Sequence, residues 1–205
     1  MRFFNSRFYN NFIRRRFFLL SFVCIILGFN ISFGSSEPIT QKRKVGRVQA
    51  VYLTHLIDFT NWDSKHLPKS SKPAKVVFVG DDENGVFDSF NYLVNENKVR
   101  IEGRSVELIN VKELSQNALS EMPQIVFFLA NAKIDAQLIQ KLKSKSLIIG
   151  LEPDLVKKGF ADIAFVVSKN RVRLVIDRGT FKRRSPGLSS RMSTLRNVVE
   201  IIPEK

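Results

Sequence analysis

The sequence contains only one cysteine and two histidines among its 205 residues. Cys24 lies in an apolar run near the N terminus, so the rest of the chain has no thiol for a disulfide, a zinc site or a nucleophile. His55 lies among apolar residues at helical spacing and His66 lies in a polar loop, and neither belongs to a cluster of metal-ligating residues. These absences argue against a metal site and against enzymes that pair histidine with a nucleophile.

Acidic residues are absent from the first 34 positions, which differ in kind from the rest of the chain. Five arginines precede an apolar run at 17–29, and the small residues Ser32 and Gly34 follow it. A basic segment, a core of about 7 to 15 apolar residues and a small-x-small site are typical of a secretory signal peptide. We therefore predict a signal peptide at 1–34. The alternative is a retained inner-membrane anchor, although Asn30 leaves the run shorter than the roughly 20 residues that span a bilayer.

Both alternatives place the rest of the chain on the periplasmic side of the inner membrane, because the positive charges stay in the cytoplasm. Bulky Phe22 and Val23 precede Cys24 where a lipoprotein signal needs small residues, so lipid attachment is not expected.

The formal net charge is +14, and without the five leader arginines 28 basic and 19 acidic residues remain, a net charge of +9. A basic protein suggests nucleic acid, but an exported one meets anionic membrane or acidic proteins instead. The basic residues are dispersed along the chain, which favours solvated surface over a binding stripe.

Hydrophobic periodicity predicts a single α/β domain at 45–205 after an unstructured lead-in at 35–44. A first helix is predicted at 45–62, followed by a buried strand at 76–79, a Gly80-Asp81-Asp82 turn and a helix at 83–96. Further strands are predicted at 104–111, 124–130 and 147–151, with helices at 112–121 and 134–142. A hairpin of strands at 163–167 and 171–176 and a terminal helix at 188–199 complete the prediction. The alternation predicts a mostly parallel sheet flanked by helices, with a C-terminal hairpin and a terminal helix.

The Gly80-Asp81-Asp82 turn is the first place to look for function, because open α/β sheets bind ligands beyond the carboxyl ends of their strands. Gly80 and Gly85 have a phosphate-loop spacing, but Val86 and Phe87 replace the Lys-Ser/Thr pair that such a loop needs. The glycines do not fit a dinucleotide-binding pattern either. We therefore predict no enzyme activity and no cofactor. Either Asp81 or Asp82 is expected to cap the following helix, and direct contact with a ligand is the alternative.

The order and spacing of several segments resemble the YfiR family of periplasmic regulators over nearly the whole chain after the leader. The segments that carry the resemblance are Ala50-Val51-Tyr52-Leu53 through Phe59 and Trp62, Val77-Phe78-Val79-Gly80-Asp81-Asp82, Gly103-Arg104-Ser105-Val106, Gln124-Ile125-Val126-Phe127-Phe128, Leu147 to Glu152, Gly159 followed by Ile163-Ala164-Phe165-Val166, Arg171-Val172-Arg173-Leu174 with Ile176, and Gly187-Leu188-Ser189-Ser190.

The resemblance implies a periplasmic protein, often a dimer, that inhibits an inner-membrane diguanylate cyclase by binding the periplasmic sensory domain of that enzyme. A sensor kinase as the inhibited partner and an outer-membrane lipoprotein as antagonist are further partners that the resemblance suggests. Well-studied relatives carry cysteine pairs, but this chain has no cysteine after the leader, so a disulfide-based redox response is not available to it. Glu152 stands where the family usually has Asp, and Asp177 stands where it has Asn.

Five residues are the candidate contacts to a partner or ligand: Asp81, Asp82, Asn84, Glu152 and Arg173. Three of them belong to the turn after the first strand, one follows a later strand, and Arg173 lies in the hairpin. A solute-binding sensory module that uses the crevice at the strand ends is the second functional hypothesis. A nucleic-acid partner is not expected for an exported domain.

Overall fold

A mixed eight-stranded sheet forms the centre of the protein. The computed structural model describes residues 37–115, 121–168 and 171–204. In chain order the elements are α1 (Glu37–Asp58), β1 (Thr60–Asn61), β2 (Ala74–Val79), α2 (Val86–Asn97), β3 (Arg100–Ile101), β4 (Arg104–Val111), β5 (Ile125–Phe128), α3 (Ala136–Lys143), β6 (Leu147–Gly150), α4 (Pro153–Lys157), β7 (Ile163–Ser168), β8 (Arg171–Asp177), α5 (Gly179–Lys182), β9 (Gly187–Leu188) and β10 (Val199–Ile202).

The strand order in the main sheet is β10-β8-β7-β6-β5-β2-β4-β3. Neighbouring strands are parallel except for the hairpins β3–β4 and β7–β8, so the predicted mostly parallel sheet with a C-terminal hairpin is confirmed. A separate antiparallel pair joins β1 to β9, with Thr60 opposite Leu188. No helix in the described ranges is long and apolar enough to cross a bilayer.

Helices cover both faces of the sheet because its central strands are apolar on both sides. Along β2, Val76 and Phe78 pack into one core with side chains of α1 and α2, whereas Val77 and Val79 pack into a second core with α3 and α4. Alternate strand residues point to opposite faces, so a continuous apolar strand must be covered twice. The result is a three-layer arrangement with the carboxyl ends of the parallel strands at one edge.

Aromatic rings form a row through the first of these cores. Phe78 stacks on Phe127 with ring centroids 5.3 Å apart, and Phe127 stacks on Phe165 at 5.7 Å. Tyr52 of α1 extends the row beyond Phe165, and Phe87 of α2 meets Phe78 edge to face. Such pairs add about 0.5 to 1.5 kcal/mol each beyond the burial of their area. The row therefore ties α1 and α2 to the strands under them.

A buried ion pair fastens the C-terminal part of the chain to the sheet. Asp162, which is 2% exposed, lies 2.7 Å from the guanidinium of Arg183 just after α5. The other carboxylate oxygen of Asp162 accepts a hydrogen bond from the Ile148 backbone N–H at 2.8 Å. Arg183 also donates to the carbonyl oxygen of Lys143 at 2.7 Å. The pair thus joins the segment after α5 to β6, to the start of β7 and to the end of α3.

Two parts of the structure differ from the sequence-based expectation at the ends of the domain. Helix α1 begins at Glu37, inside the segment that was expected to be unstructured, because the polar residues of 37–44 are good helix formers that need no burial. The predicted terminal helix at 188–199 is wrong. Residues Ser190–Thr194 form a short 3-10 helix and Val199–Ile202 form β10, which pairs parallel with β8. The β-branched run at 198–202 favours a strand, and pairing with β8 satisfies its backbone.

The remaining predicted elements differ mainly at their boundaries. Helix α1 ends at Asp58 rather than at Trp62, and α2 begins at Val86 rather than at Glu83, because residues 83–85 form the turn before it. Residues 112–115 are not helical, and 116–120 of the predicted helix at 112–121 lie outside the described residues. The predicted signal peptide at 1–34 also lies outside them.

Candidate functional site

The turn after β2 depends on glycine at its first position. Gly80 has φ of +110°, and a Cβ placed on it would overlap the carbonyl oxygen of Ala130. The neighbouring Asp81 N–H donates to that same carbonyl oxygen at 2.9 Å. The Asp81 carboxylate accepts a hydrogen bond from the side-chain amide of Asn131 at 3.2 Å. Asp81 therefore ties the turn to the loop that follows β5.

Asp82 caps helix α2, as one of the two sequence-based alternatives stated. Its carboxylate accepts hydrogen bonds from the backbone N–H groups of Val86 at 2.7 Å and Phe87 at 3.0 Å. An acidic cap of this kind stabilises a helix by about 0.5 to 2 kcal/mol, because it satisfies free N–H groups at the positive end of the helix dipole. The hydrogen bonds to α2 account for Asp82 without an external ligand.

Helix α1 crosses this turn at very short range. A Cβ placed on Gly46 would overlap the carbonyl oxygen of Asn84, so only glycine allows the helix to approach so closely. Four residues earlier, the ammonium group of Lys42 lies 2.9 Å from the carboxylate of Glu83. The N-terminal half of α1 is thus attached to the turn between β2 and α2.

A groove of about 910 Å³ runs between α1 and α2 beside this contact. Large apolar side chains lie open within it: Ile39 is 63% exposed, Tyr92 is 65% exposed and Val51 is 42% exposed. Apolar residues exposed on a concave surface with charged margins are a feature that binding sites share. We call this feature the α1–α2 groove. It is lined by Ile39, Lys42, Arg43, Arg47, Val51, Asp82, Glu83, Gly85, Asp88, Ser89, Tyr92 and Leu93.

A smaller cleft of about 440 Å³ lies on the other flank of α1, against β8. Its charged lining residues are Lys44, Arg171 and Arg173, and no acidic side chain of the described residues lines it. The Nε atom of Arg173 is buried and has no hydrogen-bond partner among the described residues. An unsatisfied buried donor beside other cations favours an anion. We call this feature the basic cleft.

The structure does not bring the five predicted contact residues to one place. Asp82 lines the α1–α2 groove, and the backbone of Asn84 lies against Gly46. Asp81 contacts Asn131, and Glu152 is an exposed residue at the start of α4 with no hydrogen bond from its side chain to the helix. Arg173 lies in the basic cleft, on the opposite flank of α1 from the groove. Their roles as partner or ligand contacts stay predictions.

Sequence reasoning missed the residues of α1 and α2 that form the groove. Ile39, Arg43, Arg47 and Val51 recur every four residues, a spacing that places them on one face of a helix. That signal was present, but 35–44 had been predicted to be unstructured. The opposing face of α2, with Tyr92 at its centre, could not be assigned to the same site without the fold.

The comparison with protein families bears directly on this arrangement. The sequence profile of the YfiR/HmsC-like family matches residues 46–195. The chain belongs to the YfiR/HmsC-like family. A search of curated proteins found no match. The family is regulatory and non-catalytic, and it acts through interactions between proteins. In this family member the matched residues begin at Gly46, so Ile39, Lys42 and Arg43 of the α1–α2 groove precede them.

Proposed function

We propose that the protein is a non-enzymatic periplasmic regulator that binds and inhibits the periplasmic sensory domain of an inner-membrane signalling protein, a diguanylate cyclase. The observation that carries the proposal is the α1–α2 groove, whose apolar residues are open to solvent while its margins are charged. Surfaces of this composition resemble the apolar core and polar rim of protein interfaces. Membership of a regulatory family and the basic, acid-free leader at 1–34 are consistent with this function and location.

Deletion of the gene is expected to raise cyclic-di-GMP, because the inhibited enzyme would be released. The direct test is complex formation between the purified protein and the periplasmic domain of a membrane cyclase encoded beside it. A sensor kinase encoded there, tested in the same way, would replace the cyclase as the partner. Absence of a complex with any such co-encoded signalling protein contradicts the proposal.

Val51→Asp is expected to weaken this complex by at least about tenfold, because it places a charge on an apolar wall of the groove that a partner must cover. Val167→Asp provides the matched control, since Val167 is 50% exposed and lies on β7 away from the groove. Affinity is measured by isothermal titration calorimetry. Equal affinity of the two variants would show that the partner binds elsewhere.

A second candidate function, a sensor of small anionic solutes, is favoured by the basic cleft alone. The unpartnered Nε of Arg173 and the absence of acidic lining residues there are the specific observations. A solute that binds only the folded protein raises its melting temperature by mass action. Such a solute could also serve as the signal that modifies partner binding.

Inorganic phosphate, citrate and a nucleoside monophosphate are suitable probes for this cleft. At millimolar concentration at least one is expected to raise the melting temperature, and Arg173→Leu is expected to remove most of the rise. Arg100→Leu on β3, at the far edge of the sheet, is the control that should retain it. If no probe raises the melting temperature, or if both variants respond like the original protein, the basic cleft is not an anion site.

A further inference from the structure

The α1–α2 groove has a helical wall on each side, and the wall formed by α1 is the longer of the two. On α1 the lining residues Ile39, Arg43, Arg47 and Val51 follow one another at intervals of four, so they form a single stripe. The stripe extends about 18 Å at 1.5 Å per residue. On α2 the lining residues fall at intervals of three and four around Tyr92. A third helix can lie between two such walls, with its ridge of side chains in the channel that they form.

The charges on the two walls differ in sign. Helix α1 has no acidic residue between Pro38 and Ile57, and Arg43 and Arg47 form no ion pair with the described residues. On the opposite wall Asp88 likewise forms no ion pair with the part of the chain that the structure describes. Asp82 and Glu83 are already engaged, one as a helix cap and the other with Lys42. The groove therefore offers two free cations along α1 and one free carboxylate along α2.

We infer that the α1–α2 groove binds an amphipathic helix whose edge beside α1 carries aspartate or glutamate. Its apolar residues recur at i, i+3 or i+4, and i+7, so that they cover Ile39, Val51 and Tyr92. Its acidic edge faces Arg43 and Arg47, while the edge beside Asp88 is neutral or basic. This inference rests on the proposed function in one respect, since it specifies the segment of the signalling protein that is held.

Charge and shape favour a helix over the other occupants of an apolar groove. An anionic lipid surface or a nucleic acid in the groove would meet the carboxylate of Asp88 as well as the arginines of α1, because both line it. The opposite signs of the two walls instead fix the orientation of a narrow, asymmetric ligand. Complementary charge selects a partner and its register more than it adds raw affinity.

Two synthetic peptides provide the test with the protein purified from cells that express the full chain. Each has about 14 residues, roughly four turns, with leucine at the helical a and d positions. One carries glutamate along a single edge, and the other carries lysine at the same positions. Fluorescence anisotropy is expected to show at least about tenfold tighter binding of the glutamate peptide. Equal binding of the two peptides, or no binding of either, would overturn the inference.

The double variant Arg43→Glu with Arg47→Glu is expected to abolish the preference for the glutamate peptide or to reverse it. Lys141→Glu with Lys145→Glu is the matched control, because it makes the same change in charge at the same four-residue spacing near the end of α3, in the opposite layer. The control should keep the preference, and circular dichroism of both double variants confirms that each is folded. A preference that survives in the Arg43/Arg47 variant would contradict the inference.

The same variants separate this inference from the proposed function. If the signalling protein binds but the Arg43/Arg47 variant binds it equally well, the inference fails and the proposed function stands. If no signalling protein binds while the glutamate peptide shows the expected dependence, the proposed function fails and the inference stands. Two further measurements test other occupants of the groove: binding to vesicles of phosphatidylglycerol and phosphatidylethanolamine, and dimerisation in analytical ultracentrifugation. If Val51→Asp abolished vesicle binding or dimerisation, lipid or a second copy would occupy the groove and the inference would be overturned.

Discussion

Replacing Arg183 by methionine is expected to lower the free energy of unfolding by about 3 to 5 kcal/mol. The carboxylate of Asp162 is almost completely buried, and the guanidinium 2.7 Å away is its only ion-pair partner among the described residues. Methionine preserves much of the side-chain volume but leaves that charge unpaired. The cost is large because the buried carboxylate has lost its hydration, and the single hydrogen bond from the Ile148 N–H does not compensate for the missing counter-charge.

Arg184→Met is the control, since the neighbouring Arg184 is exposed and forms no ion pair with the described residues. Urea unfolding of the two variants should differ by several kcal/mol. Adding Asp162→Asn to Arg183→Met should recover part of the loss, because an amide oxygen can still accept the hydrogen bond from Ile148 without carrying charge. A loss below about 1 kcal/mol in the single variant would show that water or a rearranged side chain compensates the carboxylate.

The same variant should show a defined dependence on pH. Burial raises the pKa of Asp162 above its usual value of 3.8, and the Arg183 guanidinium opposes that rise. Without Arg183 the pKa of Asp162 in the folded protein rises further. A raised folded-state pKa means that the folded protein holds the proton more tightly, so stability is lost as pH rises through that pKa. The difference in free energy of unfolding between Arg183→Met and the original protein should therefore become smaller as pH falls toward 4 and larger toward neutral pH.

Gly46→Ala is expected to lower the free energy of unfolding by about 1 to 3 kcal/mol, even though alanine is the better helix former. The added methyl group would overlap the backbone carbonyl oxygen of Asn84, and a backbone atom cannot rotate away as a side chain can. Either the turn before α2 or the N-terminal half of α1 must move. Because Gly46 is adjacent to the lining residues of the α1–α2 groove, the peptide preference described above should weaken in the same variant.

His55→Ala serves as the control for this substitution, since His55 is exposed on the same helix and its replacement raises helix propensity without a new contact. Its stability should stay within about 0.5 kcal/mol of the original. Loss of the groove in Gly46→Ala can be followed by NMR through the signals of Tyr92 and the side chain of Lys42. An unchanged spectrum and stability would mean that α1 can shift without cost.

The sheet could be predicted from the sequence because its strands are coded locally. The runs that form β2, β5 and β6 are short and largely apolar, and β8 alternates between apolar and polar residues except at Val175. The cap by Asp82 could be predicted for the same reason, because a cap depends on residues only a few positions away. These features follow from neighbours in the chain.

The C-terminal segment shows where local coding fails. Helical spacing is present in this segment, at Leu188, Met192, Leu195 and Val199. Leu195 is nevertheless 44% exposed, and Val199 belongs to β10, where it lies opposite Leu174 of β8. The free edge of β8, which is formed far from this segment by the β7–β8 hairpin, decides its conformation. Tertiary pairing therefore overrides a period that only four residues support.

The candidate site was less predictable than the fold for a related reason. Each wall of the α1–α2 groove is an ordinary helical face in the sequence. The two faces lie side by side because Gly46 and Lys42 of α1 contact the turn before α2, which the sequence does not show. The unpartnered Nε of Arg173 likewise has no signature in the sequence, because its burial depends on α1 lying over β8. The sequence-based prediction chose acidic residues that follow strands instead, because their position after a strand can be read directly from the sequence.

Helix α1 separates the α1–α2 groove from the basic cleft and contributes residues to both. Because α1 lines both features, a displacement of the helix that widens the α1–α2 groove would narrow the basic cleft, and the reverse. Binding at the two sites would then be coupled. If a ligand in the basic cleft changes the affinity of the groove for its partner by some factor, the partner must change the affinity of the cleft for the ligand by the same factor. Gly46 and Lys42, where α1 contacts the turn before α2, are the positions at which a substitution would alter both sites.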